Sequence, residues 1–207
     1  MQPVPRITVE VPVLRVGASP SDYENLGTRV DVLRRRQGLH MTLLHIGILE
    51  DFARDIVQWN RGTTSTEAVT RTTSAWLQAL PVLDAFSGTA ARLTVLGGGS
   101  VCGLEVEVPE QVRDFQVGLV QALHRLLDEL LVDNIDDFIL SSRALGYRHP
   151  HWTPHVSVGR PASRDRRPLD IEPLAIGFGA SRIRNRQALP ATGPAGTPPA
   201  GRQAPDD

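Results

Sequence analysis

Residues 149–160 read HPHWTPHVSVGR, and residues 39–48 read LHMTLLHIGI. The first stretch packs three of the chain's six histidines into seven positions. Density alone suggests a metal site, but a longer-range pattern is more informative. His155-Val156-Ser157-Val158 repeats His40-Met41-Thr42-Leu43 as histidine, apolar, hydroxyl, apolar. Both runs have strand character, and side chains at i and i+2 of a strand share a face. His40 and Thr42 are therefore expected to point one way, and so are His155 and Ser157. Met41, Leu43, Val156 and Val158 then anchor the opposite face in a core. His151-Trp152-Thr153 matches the shorter His-x-Thr pattern but runs into Pro154, which breaks the strand reading.

Working outward, Ile7–Leu14 is β-rich and partly alternating, and predicts a first strand. Residues 19–33 are polar with short helical patterning and lead into Arg34-Arg35-Arg36. Glu50–Trp59 carries acids in its first turn and apolar residues at helical spacing. Ser65–Leu80 predicts a second helix, stopped by Pro81. Arg92–Leu96 and Val101–Val108 flank Gly97-Gly98-Gly99 as a hairpin. Gln111–Val132 sets Val112, Phe115, Leu119, Leu123, Leu126, Leu127 and Leu130 on one helical stripe. Pro154–Gly159 and Leu174–Ile183 are further strands. Hairpins outnumber βαβ units, so the expected class is α+β with antiparallel sheet. From Gln187 the chain turns to Pro, Gly and Ala without periodicity, which predicts a structured region over 1–186 and a disordered tail over 187–207.

The 207 residues suit one domain or two small lobes, and 22 basic against 23 acidic side chains leave no strong global field. Every basic residue is arginine, so any cationic contact is a guanidinium suited to bidentate phosphate binding. The lone Cys102 excludes an internal disulfide or a thiolate metal cage. No signal-peptide pattern opens the chain, and no apolar run approaches the ~18 residues of a membrane span. These features predict a cytoplasmic protein.

Two imidazole–hydroxyl pairs on adjacent strands would suit phosphodiester chemistry without a metal. One imidazole takes a proton from the attacking oxygen while the other gives one to the leaving oxygen. The hydroxyls bind the non-bridging oxygens. A metal-dependent hydrolase built on His149, His151 and His155 is the competing chemistry. In extended chain His151 and His155 lie about 13 Å apart, so sharing one ion would need a sharp turn. A third reading is a non-catalytic module that holds an RNA end or a nucleotide. Around the second motif, Arg148, Trp152 and Arg160 are candidates for a substrate rim. Arginines at 143, 148, 160, 164, 166, 167, 182, 184 and 186 form a dense basic stretch that suits RNA. His45 and His124 read as structural or boundary residues.

With LHMTLLHIG and TPHVSVGR in view, the chain resembles the 2H phosphoesterase superfamily, in particular its bacterial 2′-5′ RNA ligase and cyclic phosphodiesterase branch. The resemblance runs from about Arg6 to Arg186. It implies a bilobal α+β fold, two antiparallel sheets flanking a cleft, and one motif from each lobe. It further implies opening of 2′,3′-cyclic phosphates on RNA ends or nucleotides, or reversible 2′-5′ ligation. His40 and His155 would be the catalytic pair, with Thr42 and Ser157 on the phosphate. The expected protein is a monomer that needs no cofactor.

Overall fold

A computed structural model describes residues 6–142, 144–145, 152–162 and 167–186. In chain order these form β1 (Arg6–Val16), α1 (Pro20–Glu24), β2 (His40–Ile48), α2 (Leu49–Trp59) and α3 (Thr66–Ala79). There follow β3 (Phe86–Leu96), β4 (Val101–Glu107), α4 (Glu110–Glu129) and α5 (Ile135–Ser141). The chain finishes with β5 (His155–Gly159), β6 (Leu169–Phe178) and β7 (Arg182–Arg186). The fold is α+β, and all strand pairings among the described residues are antiparallel.

The seven strands run β2-β5-β4-β3-β6-β1-β7, and β2 also pairs with β1. β1 makes this closure possible by changing partners along its length. Residues 6–12 pair with β2, and the following Val13–Val16 pair with β6. The two sheets implied by the resemblance are thus joined into one hydrogen-bonded set, with β1 on one side and β5 on the other as the shared strands.

Alternation decides which side of the sheet is core. Val9, Val11, Met41, Leu43, Leu104, Val156 and Val158 are all buried. Register pairs Val11 with Met41, Met41 with Val156, and Val156 with Leu104, so these side chains form one continuous apolar row. Helices cover the core. α2 leaves β2 directly and buries Phe52, Ala53 and Ile56 on one stripe. Each large side chain withdrawn from water in this way contributes about 1.5–3 kcal/mol. Ser65 accepts the Ala68 N–H at 3.2 Å and caps α3. Phe138 of α5 meets Phe52 and Trp59 edge-on, at ring separations of 6.1 and 5.9 Å.

Several elements differ from the sequence expectations, among them β3, which begins at Phe86 and not at Arg92. Leu174–Ile183 is not one strand: β6 ends at Phe178 and β7 starts at Arg182. Between them, Gly179 donates to Pro12 O and Ser181 donates to Leu83 O. β6 instead begins earlier and runs through Pro173. The β3–β6 register is irregular opposite Ala90 and Arg92, where proline removes no required ladder bond. α5 has seven residues, too few to show a helical period, and is capped by Asn134, whose side chain accepts the Asp137 N–H. Among the described residues, no helix is long and apolar enough to cross a membrane. Residues 187–207, the expected tail, lie outside the described residues, as do Arg148, His149 and His151.

Candidate active site

The face of the sheet opposite the apolar row is polar across five neighbouring strands. Burial alternates along β2 and β5, so His40, Thr42, His155 and Ser157 are half-buried while their neighbours are fully covered. β2 and β5 pair at Met41 and Val156. One step to either side, antiparallel geometry sets His40 opposite Ser157 and Thr42 opposite His155, all on the polar face. The two imidazoles stand on a diagonal of this pair, where residues are separated by roughly 7–8 Å.

Each histidine is oriented by the backbone that leads into its strand. His40 Nδ1 lies 3.0 Å from Gly38 O, and His155 Nδ1 lies 2.8 Å from Thr153 O. A carbonyl only accepts, so Nδ1 carries the proton in both rings and, in the neutral ring, Nε2 is the basic nitrogen. In each case the acceptor is two residues upstream. The echo seen in sequence therefore extends to ring orientation.

Beyond the histidines the two halves diverge. β1 places Glu10 opposite Thr42, and β7 places Arg182 opposite Glu10. Glu10 is fully buried; its Oε2 lies 3.5 Å from His40 Nε2. Arg184 NH1 lies 3.4 Å from His40 Nδ1. The shorter carbonyl bond claims that nitrogen's proton, so the guanidinium acts on the ring through its charge, while donating to Glu10 Oε1 at 3.3 Å. On the other side β4 places Glu105 opposite His155 and Gly103 opposite Ser157. Glu105 accepts a long hydrogen bond from Thr94 Oγ1 at 3.4 Å. A Cβ on Gly103 would lie 3.4 Å from His155 Cδ2 and 3.2 Å from Leu96 Cδ1, so glycine leaves room for the ring.

Sequence reasoning missed Glu10, Arg182 and Arg184 as site residues. The signal was present: Glu10 is the single acid in an otherwise apolar or β-branched run, and Arg182 and Arg184 share strand parity. Trp152 is half-buried against the core, and its indole N–H donates to Thr42 O at 3.1 Å. It fastens the approach to β5 onto β2. Arg160 is exposed beyond the end of β5, in an open cleft shared with Asp31, Arg34 and Ser100. Gly159 beside it is closely packed, since a Cβ there would strike Val30 and the Val32 carbonyl. His45 is half-buried at the far end of β2. Burial, reinforced by Arg6, holds its pKa below the ordinary 6.5 against a hydrogen bond to the Ala144 backbone.

No protein-family model and no curated protein matches the chain. Solved structures do. TT0787 of Thermus thermophilus aligns over 87% of this chain and 94% of its own, at 14% identity and a TM-score of 0.48. E. coli LigT complexed with 3′-AMP aligns over 90% and 96%, at 12% identity and a TM-score of 0.41. A structure described as a phosphoesterase aligns over 88% and 95%, at 14% identity and a TM-score of 0.36. With TM-scores below 0.5, these neighbours leave the functional reading to the side chains.

Among the described residues, no group of three or more His, Cys, Asp or Glu is placed to hold a metal ion. The candidate set of His149, His151 and His155 is described only at His155.

Proposed function

We propose that the chain is a phosphodiesterase that opens 2′,3′-cyclic phosphates on RNA ends or nucleotides through two-histidine acid–base catalysis. The observation that carries this reading is the matched pair of rings. Each imidazole has its Nδ1 held by the carbonyl two residues upstream, and both stand on one polar face of neighbouring strands.

In this mechanism the phosphoryl group lies between His40 and His155. Neutral Nε2 of one ring takes a proton from the attacking water as the O–P bond forms. The Nε2–H of the other protonates the ribose oxygen as its bond to phosphorus breaks. The ring that began neutral ends charged and the other ends neutral, so proton exchange with solvent resets the site. Thr42 and Ser157 donate to the non-bridging oxygens and keep the phosphorus in line with the attack. With a ribose 5′-hydroxyl replacing water as the attacking oxygen, the same groups in the same roles open the cyclic phosphate, releasing the 3′-oxygen and joining ends through a 2′-5′ linkage; the reverse step, with the roles exchanged, cleaves that linkage and re-forms the cyclic phosphate. No cofactor or metal takes part, and a cytoplasmic monomer suffices. Trp152 acts from behind by fixing β2 to the approach of β5, and Arg160 belongs to the rim that meets the rest of the substrate.

The test is turnover of a nucleoside 2′,3′-cyclic phosphate by purified protein in excess chelator. The expected result is release of a single monophosphate isomer with a bell-shaped pH–rate profile. Turnover that appears only on adding metal would refute the two-histidine mechanism.

A further inference from the structure

Glu10 sits mid-strand in β1 with 0% of its side chain exposed. Neither imidazole needs a carboxylate to exchange a proton, so its presence on the catalytic face calls for a separate account. Burying a carboxylate is unfavourable unless charges and hydrogen bonds compensate it. Here the compensation is divided between the two oxygens. Oε1 accepts from Arg182 Nε at 3.2 Å, Arg182 NH2 at 3.0 Å and Arg184 NH1 at 3.3 Å. Oε2 faces His40 Nε2 at 3.5 Å and Thr8 Oγ1 at the same distance. The arginines hold one oxygen and leave the other to the ring.

The side chains around His40 have unequal freedom. The His40 side chain is 14% exposed, whereas those of Arg182 and Arg184 are 53% and 29% exposed. Water screens the guanidinium charges more than it screens Glu10. Among the described residues, the charged and titratable groups facing His40 include Glu10 from β1, Arg184 and, through Glu10, Arg182 from β7, and His155 across the β2–β5 pair. Arg36, in the turn before β2, is drawn off by Glu24 at 3.7 Å.

We propose that Glu10 is a positioning residue for His40: anchored through one oxygen by two arginines, it uses the other to hold the imidazole and raise its proton affinity, while Arg184 opposes that pull. The inference rests on the two-histidine reading for its catalytic consequence, but the coupling itself is measurable without turnover. It also makes the halves of the site unequal, because Glu105 beside His155 has Thr94 as its side-chain hydrogen-bond donor in place of two arginines.

The experiment is an NMR pH titration of the His40 imidazole in the full chain, in Glu10→Gln and in Arg184→Gln, with His155 as internal control. Glu10→Gln is expected to lower the His40 midpoint by about one pH unit, the scale for loss of an opposite charge at this distance. Arg184→Gln is expected to raise it, and His155 to stay nearly fixed in both. With a nucleoside 2′,3′-cyclic phosphate, Glu10→Gln should lower kcat about tenfold with KM changed less than about twofold, and displace one limb of the pH profile. An unchanged His40 midpoint in Glu10→Gln, or equal shifts at His40 and His155, overturns the proposal. Should Glu10→Gln not fold, Arg184→Gln decides: a His40 midpoint that fails to rise overturns it. If the shifts appear but the native chain turns nothing over, the phosphodiesterase reading fails and the Glu10–His40 coupling stands.

Discussion

His40 and His155 occupy equivalent places on neighbouring strands, yet their surroundings differ in charge. Both rings direct Nδ1 at the carbonyl two residues upstream, and both have a glutamate on the next strand outward. On the β1 side that glutamate is fully buried and bound by two arginines. On the β4 side it is half-exposed and meets a threonine. On the proposed two-histidine reading, matching orientation with unmatched charge would let two copies of one local motif divide a reaction. The backbone sets how each ring is turned, and the neighbouring strand sets the charge beside it.

The largest effect expected from breaking this comparison comes from removing either ring. His40→Ala and His155→Ala should each lower kcat by about 10²–10⁴-fold, as for loss of a general acid or base. Both residues stand on the polar face, so thermal unfolding should show little loss of stability. Next come the two glutamates. Glu10→Gln should cost about tenfold in kcat, while Glu105→Gln should stay within about twofold; steady-state kinetics on the same substrate measures the contrast. Equal losses would mean that the halves are functionally symmetric.

Smaller again is Trp152→Phe, which keeps the packing but removes the hydrogen bond to Thr42 O. It should destabilise by about 1 kcal/mol in denaturant unfolding. The smallest effect concerns His45, a third imidazole on the same strand in a third environment. Burial lowers its folded pKa, so the unfolded chain binds the proton more readily. Stability attributable to His45 is present above its ordinary 6.5 and is lost as pH falls through that value towards the folded pKa. His45→Gln should flatten this part of the stability–pH curve, measured by urea unfolding at a series of pH values.

Much of this was legible in the sequence, for identifiable reasons. Strict alternation in HMTL and HVSV marked both strands and their polar faces, because the core tolerates only one parity. The α4 stripe and the Gly97–Gly99 turn were equally plain. β6 was harder to bound because Pro173 sits at a register irregularity, which depends on β3 rather than on local preference. The charge cluster was hidden for a similar reason. Glu10 and Arg182 are 172 positions apart, and only the β1–β7 pairing brings them together. A lone acid in an apolar strand signalled a missing partner without naming it. Trp152 was readable as a candidate for the substrate rim, and the indole bond to Thr42 O adds a strut between β2 and the approach to β5.

The central claim is that His40 and His155 act as one catalytic unit, and the double variant tests it most directly. Single-turnover rates should be measured for His40→Ala, His155→Ala and the two combined. Groups that act together are strongly non-additive. The double variant is therefore expected to be slower than the slower single by no more than about threefold, with each single down by at least about a hundredfold. Losses that multiply, or a single variant that keeps the native rate, would contradict a shared acid–base site.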